Sequence, residues 1–497
     1  LLEQMTAEQK TQEALEQVFL FACIWGFGGP LCDDRTNENR TKFDECFQSQ
    51  WKEALQSQYP KDTSVFDYYY NPKEEDWVAW EDEVTPYEYQ PIGWGPGQTD
   101  FSYIYVTYSD TVKNEKILQY LVEHEQPICL VGLAGTGKTA AVQKFLAAQD
   151  PEFMLNSAID VNFYTEHRNI QAEIENVIDK RSGRVFGPPP GKKMLYFLDD
   201  LNLPEIEEFG TQNALSMLRM IMDLKTFYDR EDLSFRKEIV DAVYVASMNP
   251  TAGSFHVADR VQRHFAVLAC DIPSEAESKS VYLQILDGHL QGMDFASNIA
   301  SHVEKIVDAT IFLHKTVLDK FLPGAIKFMY IWNLRELANI VRGLCRAESG
   351  TVVDMNTMVR LWGHETDRVF ADRLINAEEG EKFRKIQVDC ATKYFGDVAN
   401  VEEALDPQDL LFTSFFGSKD NFYNLVPEFE GLQTILDSKL EEYNENNTIM
   451  ELVLFKEAIE HVCRICRVIE YPGGNTMLVG VGGSGKQSLS RLAGFIM

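Results

Sequence analysis

Ile128-Cys129-Leu130-Val131-Gly132-Leu133-Ala134-Gly135-Thr136-Gly137-Lys138-Thr139 is the stretch that decides the fold. Its four apolar residues read as a buried strand, and the periodic run Lys138 to Ala148 reads as a helix. Between them lies a glycine-rich loop ending in a lysine and a hydroxyl. Gly132, Gly135 and Gly137 let backbone N–H groups turn inward on an anion without a Cβ in the way. Lys138 supplies a point charge for the β- and γ-phosphates, Thr136 completes the loop, and the Thr139 hydroxyl is a candidate Mg²⁺ ligand. The helix that starts here aims its positive end at the same anion. This is a P-loop, and it predicts ATP or ADP with Mg²⁺ as ligands.

Working outward, Leu195-Tyr196-Phe197-Leu198-Asp199-Asp200 describes a buried strand whose tip carries paired carboxylates. Asp199 is expected to hold the Mg²⁺ shell, and Asp200 to orient or deprotonate the attacking water. Many ATPases carry Glu at that second position; the shorter Asp predicts slow hydrolysis. The strand Val243 to Met248 ends in Asn249, whose amide can contact the γ-phosphate or align the water. Arg260 and Arg263 precede the strand Phe265–Asp271; either could be a trans arginine finger for a neighbouring module or a solvated ion-pair partner. Asn333-Leu334-Arg335 opens a later helix, and Arg335 there can fold back on the nucleotide.

A second loop, Gly480-Val481-Gly482-Gly483-Ser484-Gly485-Lys486-Gln487-Ser488, follows the apolar run Thr476–Val479, read as a strand. Gly480, Gly483, Ser484, Gly485 and Lys486 suit phosphate. Gln487 stands where the first loop has Thr139, with Ser488 one place later, so metal coordination is in doubt.

The alternation of strands (Pro127–Val131, Ser157–Phe163, Met194–Leu198, Ala242–Met248, Phe265–Asp271) with helices (Lys138–Ala148, Asn169–Lys180, Asn213–Asp223) predicts an α/β parallel sheet flanked by helices. Helical patterns then run from Pro273 to about Ala377. The organisation expected is a helical end of a preceding module with its connector (1–95), an α/β core (96–274), a small all-helical lid (275–377), a linker (378–409) and the start of another α/β core (410–497). Within the first of these, Thr63 to Gln98 reads as irregular. A tandem repeat of about 350 residues is far longer than solenoid periods and means tandem domains.

Net charge over the 497 residues is −31, which argues against sequence-independent nucleic-acid binding and against anionic membranes. The apolar run Val18–Phe27 is too short to span a bilayer and reads as a core helix. Nine scattered cysteines suggest free thiols in a reducing compartment. Cys463-x-x-Cys466 falls on one helix face and reads as packing, and His364 as a packing or hydrogen-bonding residue. The opening Leu1-Leu2-Glu3, with no initiator Met, suggests a piece of a longer chain.

The motifs together resemble dynein heavy chains. Phe197-Leu198-Asp199-Asp200-Leu201-Asn202-Leu203-Pro204, Tyr228-Asp229-Arg230, Arg260-x-x-Arg263-His264-Phe265, Asn333-Leu334-Arg335-Glu336-Leu337, Arg360-Leu361-Trp362-x-His364-Glu365 and Asp372-Arg373-Leu374 are similar to the third AAA+ module. Leu478 to Leu489 resembles the opening of the fourth module of ciliary dyneins, and residues 15–80 the tail of the second. The resemblance implies an AAA+ ring segment of a minus-end-directed microtubule motor of the cilium. Its nucleotide site would be regulatory, and its partners would be the other AAA+ modules of the same chain. Intermediate and light chains and microtubules would be met through regions outside this sequence. Two alternatives stay open: a nucleotide clamp that hardly turns over, and a midasin-type remodelling ring.

Overall fold

The computed structural model describes all residues except 4, 7, 8, 34–37, 52–62, 94–97, 252–256, 407–410 and 417–421. Two compact units result: Leu1–Pro86 with Thr107–Ser274, and Tyr87–Val106 with Glu275–Met497.

The first unit opens with α1 (Gln12–Gly28), capped by Thr11, whose side chain accepts from Ala14 N. Its Leu20 and Ile24 are fully buried, as the reading of Val18–Phe27 as a core helix required. Helix α2 (Asn39–Gln50) follows. The region expected to be irregular contains an antiparallel hairpin, β1 (Tyr68–Asn71) and β2 (Asp76–Ala79). Burial of aromatics drives it: Tyr69 stacks on Trp80 at 4.7 Å, and Trp77 Nε1 donates to Gln17 Oε1 at 2.9 Å.

The core is a parallel sheet of β3 (Ile128–Val131), β4 (Met154–Asp160), β7 (Lys193–Asp199), β10 (Ala242–Met248) and β11 (Ala266–Ala269). Its spatial order is β11-β3-β10-β7-β4. Side chains alternate between two apolar layers, as the strand period of two demands. Cys129, Tyr196, Leu198, Tyr244 and Ala246 meet α5 (His167–Asn176) and α6 (Asn213–Leu224). Ile128, Leu130, Leu195, Phe197, Val243 and Val245 meet α3 (Ser109–Glu123) and α4 (Lys138–Ala147). The second expected strand shifts from Ser157–Phe163 to Met154–Asp160. Phe163 is apolar but 52% exposed, so it lent the pattern a false end.

A second sheet, which the sequence did not suggest, has the order β5 (Asp179–Ser182), β6 (Val185–Gly187), β9 (Arg236–Ile239), β8 (Thr226–Tyr228). Its strands are three or four residues long, and β5 and β9 are rich in charge, so backbone pairing rather than an apolar pattern defines them.

The second unit is helical: α8 (Glu275–Gly292), α9 (Ser297–Ala300), α10 (Val303–Lys320), α11 (Leu334–Leu344), α12 (Met355–Val369) and α13 (Ala377–Phe395) surround one core. The expected linker at 378–409 is corrected by α13. Phe383, Gln387, Cys390, Ala391 and Phe395 are buried at helical spacing, so this segment belongs to the lid core. Helices α14 (Val401–Ala404), α15 (Phe429–Asn446), α16 (Lys456–Ile469) and α17 (Lys486–Ile496) follow, with a short antiparallel pair, β12 (Phe412–Thr413) and β13 (Asn424–Leu425), between α14 and α15. Cys463 and Cys466 are buried on α16, and burial pushes the Cys463 thiol up to about 12. The expected strand Thr476–Val479 forms no ladder among the described residues, and Met477 and Val479 are exposed.

Ion pairs, two of them buried, tie the lid helices to α16. Arg467 Nε donates to Glu365 Oε1 at 3.3 Å and its Nη2 reaches Oε2, with Glu365 wholly buried. Burial opposes the charge on Arg467, but Glu365 outweighs it and holds the guanidinium protonated. Arg346 pairs with Glu470 at 2.5 Å, both 5% exposed, and Arg464 with Asp372 at 3.2 Å. Gly343, inside α11, makes room for this arrangement, since a Cβ there would overlap the Glu365 carboxylate.

Candidate functional site

The first glycine-rich loop bends where the sequence said it must. Gly135 and Gly137 have φ of 87° and 79°, the left-handed region in which a side chain is strained. Gly132 is enclosed, because a Cβ would overlap the Cys270 carbonyl. Lys138 Nζ donates to the carbonyls of Gly132 and Leu133, both at 2.8 Å, and lies 3.2 Å from Thr136 Oγ1. The ammonium therefore sits over the loop it belongs to, at the amino end of α4.

Strand order brings the remaining parts to the carboxyl edge of the same sheet, where open α/β sheets bind ligands. Thr139 Oγ1 lies 3.0 Å from Asp199 Oδ2 and 3.2 Å from Oδ1. A hydroxyl beside a carboxylate is a hard-oxygen pair that suits Mg²⁺. Asp200 follows, exposed, with φ of 57°. Asn249 directly follows β10; Met248 pairs with Val131, and Gly132 N donates to Met248 O at 3.2 Å. Asn249 Oδ1 accepts from Thr251 N and Oγ1.

Two residues that sequence reasoning passed over bind these parts together. Ser247, 1% exposed, donates its hydroxyl to Asp199 Oδ1. Asn202, also 1% exposed, donates Nδ2 to the Asn249 carbonyl at 3.0 Å. Nothing in local pattern separates them from ordinary strand and turn residues; they matter because two strands are adjacent.

The two arginines ahead of β11 differ: Arg260 lies on the short helix α7 (Asp259–Gln262) and Arg263 just after it. Arg263 pairs with Asp223 at 2.6 Å, beside His264 at 3.0 Å. Burial works against ionisation of Asp223, yet the Arg263 hydrogen bond and charge hold its carboxyl below the usual range. Arg260 is exposed and has no ion pair among the described residues. Arg335 belongs to the second unit. It is exposed on the first turn of α11, where a capping box of Asn333 and Glu336 fixes the helix start: Arg335 N donates to Asn333 Oδ1 at 2.8 Å, and Asn333 N to Glu336 Oε2 at 2.7 Å.

The second loop repeats the first in shape. Gly483 and Gly485 have φ of 81° and 76°, and Lys486 Nζ donates to Gly480 O (2.5 Å) and Val481 O (2.7 Å) and lies 3.2 Å from Ser484 Oγ. Gln487 is exposed, and Ser488 lies one place further into α17. No carboxylate takes the place of Asp199 here among the hydrogen bonds of the described residues.

Comparison with known proteins agrees with this layout. Residues 95–273 match the family described as "P-loop containing dynein motor region", and 450–497 match "P-loop containing dynein motor region D4". Residues 2–82 match "Dynein heavy chain AAA lid domain", and 306–404 match "AAA+ lid domain". The lid match runs through the segment first read as a linker. The chain is 39% identical over 490 residues to the flagellar outer-arm dynein beta chain of Chlamydomonas reinhardtii, covering 98% of this chain and 10% of that one. It is 37% identical over 485 residues to dynein axonemal heavy chain 9 of Homo sapiens, and 38% over 486 residues to the ciliary dynein beta chain of Tripneustes gratilla. Each of these covers 98% of this chain and 11% of the relative. The chain thus spans about a tenth of the length of these relatives. On these matches, which run from one end of it to the other, the chain belongs to the dynein heavy chain family, axonemal type.

Proposed function

We propose that the Lys138 loop binds ATP or ADP with Mg²⁺ and acts as a regulatory nucleotide switch in the AAA+ ring of an axonemal microtubule motor. The observation that carries this is the contact of Thr139 with Asp199, beside Lys138 in sequence and on the sheet edge where Asn249 follows β10. Loop amides and Lys138 would hold the phosphates, Thr139 and Asp199 the metal, and Asn249 would read the γ-phosphate. Mg²⁺ would neutralise charge on the phosphates. Asp200 is the candidate to orient water, and Arg335 to reach the nucleotide from the lid.

The Lys486 loop would bind phosphate without the usual hydroxyl ligand, through Gly480, Gly483, Ser484, Gly485 and Lys486. Of the two candidates for a trans arginine, Arg260 is favoured, because Arg263 is engaged by Asp223. The whole motor would work in the axoneme, with intermediate and light chains and microtubules meeting other parts of the heavy chain. The dynein matches favour this over a midasin-type ring.

The test is made in the full heavy chain. Lys138→Ala is expected to abolish nucleotide retention at this site, and unchanged retention would refute the reading. Asp200→Asn should keep nucleotide bound while slowing its turnover. If turnover is unaffected, Asp200 has no catalytic role; if neither the parent chain nor the variant turns nucleotide over at this site, the module is a clamp.

A further inference from the structure

We propose that Asn202 is a positioning residue: it holds the end of β10 so that Asn249 can distinguish ATP from ADP. This deepens the reading of the Lys138 loop as a nucleotide site and rests on it.

The ladder between β7 and β10 runs as far as Leu198 opposite Ala246. The chain then turns away at Asp200, with φ of 57°, and Leu203 N closes the turn on Asp200 O at 3.0 Å. Pairing nevertheless continues past the break. Leu201 N donates to Ser247 O at 2.9 Å, and the Asn202 side chain donates to Asn249 O at 3.0 Å. A buried side-chain amide thus supplies the last rung, where the main chain no longer can.

The held residue is placed to read a phosphate. Asn249 directly follows Met248, whose carbonyl accepts from Gly132 N, so it stands beside the first glycine of the loop. Its amide orientation is set by Thr251. A backbone N–H can only donate, so the atom facing Thr251 N must be Oδ1. The Thr251 hydroxyl donates to the same oxygen. That leaves the Nδ2 hydrogens for an acceptor. The γ-phosphate is the acceptor that ATP has and ADP lacks, and a hydrogen bond to it is charge-assisted. Removing the Asn202 amide leaves the Asn249 carbonyl without this donor and lets the residue drift from that position.

The experiment uses the full heavy chain with Lys486→Ala in the background. The chain is labelled with a photoreactive azido-adenosine triphosphate, and labelled peptides of this segment are read by mass spectrometry while ATPγS or ADP competes. Asn202→Ala and the near-isosteric Asn202→Asp should weaken competition by ATPγS about tenfold, while ADP changes by less than about twofold. Asn249→Ala should do the same, and the double variant Asn202→Ala/Asn249→Ala should be no worse than either alone, because both act through one contact. Equal losses for ATPγS and ADP in the Asn202 variants would mark a merely structural role and overturn the proposal; so would additive losses. An Asn249→Ala chain with undiminished preference for ATPγS would instead refute Asn249 as the γ-phosphate reader. Labelling that survives Lys138→Ala would refute the nucleotide site itself.

Discussion

At the scale of single residues, Asp200 departs from the usual Glu for a reason visible in its backbone. Its φ of 57° lies in the left-handed region, which Asp and Asn tolerate better than longer side chains. The short acid is therefore suited to the turn that lets Asn202 reach back to β10. Asp200→Glu would lengthen the reach of the carboxylate but strain the turn. It should lower the local opening free energy of residues 199–203 by about 0.5–1 kcal/mol, read by hydrogen exchange, whereas Asp200→Asn should leave it unchanged. Equal protection in the two variants would remove the backbone as the explanation. Lys138, Thr139 and Asp199 were legible in sequence because loop chemistry fixes their spacing along the chain. Ser247 and Asn202 were not, since their partners are set by which strands lie side by side.

At the scale of elements, the five core strands announced themselves as apolar runs, because both faces of a parallel sheet are covered. Strands such as Asp179–Ser182 and Arg236–Ile239 carry charge instead, and their pairing left no apolar signature. Helix α13 did leave a partial one: Phe383, Cys390, Ala391 and Phe395 fall on one helical face, which the polar Gln387 interrupts. Surrounding charges masked it. The junction of α12 with α16 has its own test. Glu365→Gln leaves Arg467 buried with a neutral partner, and should destabilise the junction by about 3–5 kcal/mol. The paired change Glu365→Gln/Arg467→Gln should cost less than the single one, because it removes the stranded charge. Exchange protection of α12 and α16 measures both; a double variant worse than the single would show that the charge is not what matters.

At the scale of the whole molecule, each unit is built around its own buried apolar cores. His289 shows what a change of pH does to such a core. It is fully buried on α8, with Nε2–H donating to the Ala347 carbonyl at 3.0 Å and Nδ1 accepting from Tyr89 O–H at 3.2 Å. Burial depresses its pKa from 6.5 to about 4, with the Ala347 bond opposing this. The unfolded chain therefore takes up a proton first. Stability of the second unit should be insensitive to this group above about pH 6.5. It should fall through the window down to about pH 4 by roughly 3 kcal/mol and then level off. Protection of α8 that is constant from pH 7 to 4, after correction for intrinsic exchange, would contradict this. Gly343 carries a different kind of consequence. Mid-helix glycine ordinarily sacrifices about 1 kcal/mol against alanine, so a catalogue of variants ranked by helix propensity would score Gly343→Ala as an improvement. Here the added methyl would evict the Glu365 carboxylate and strand the cation of Arg467 on another helix. The fault would be written at one address and felt at another, and a genotype read one position at a time would miss it.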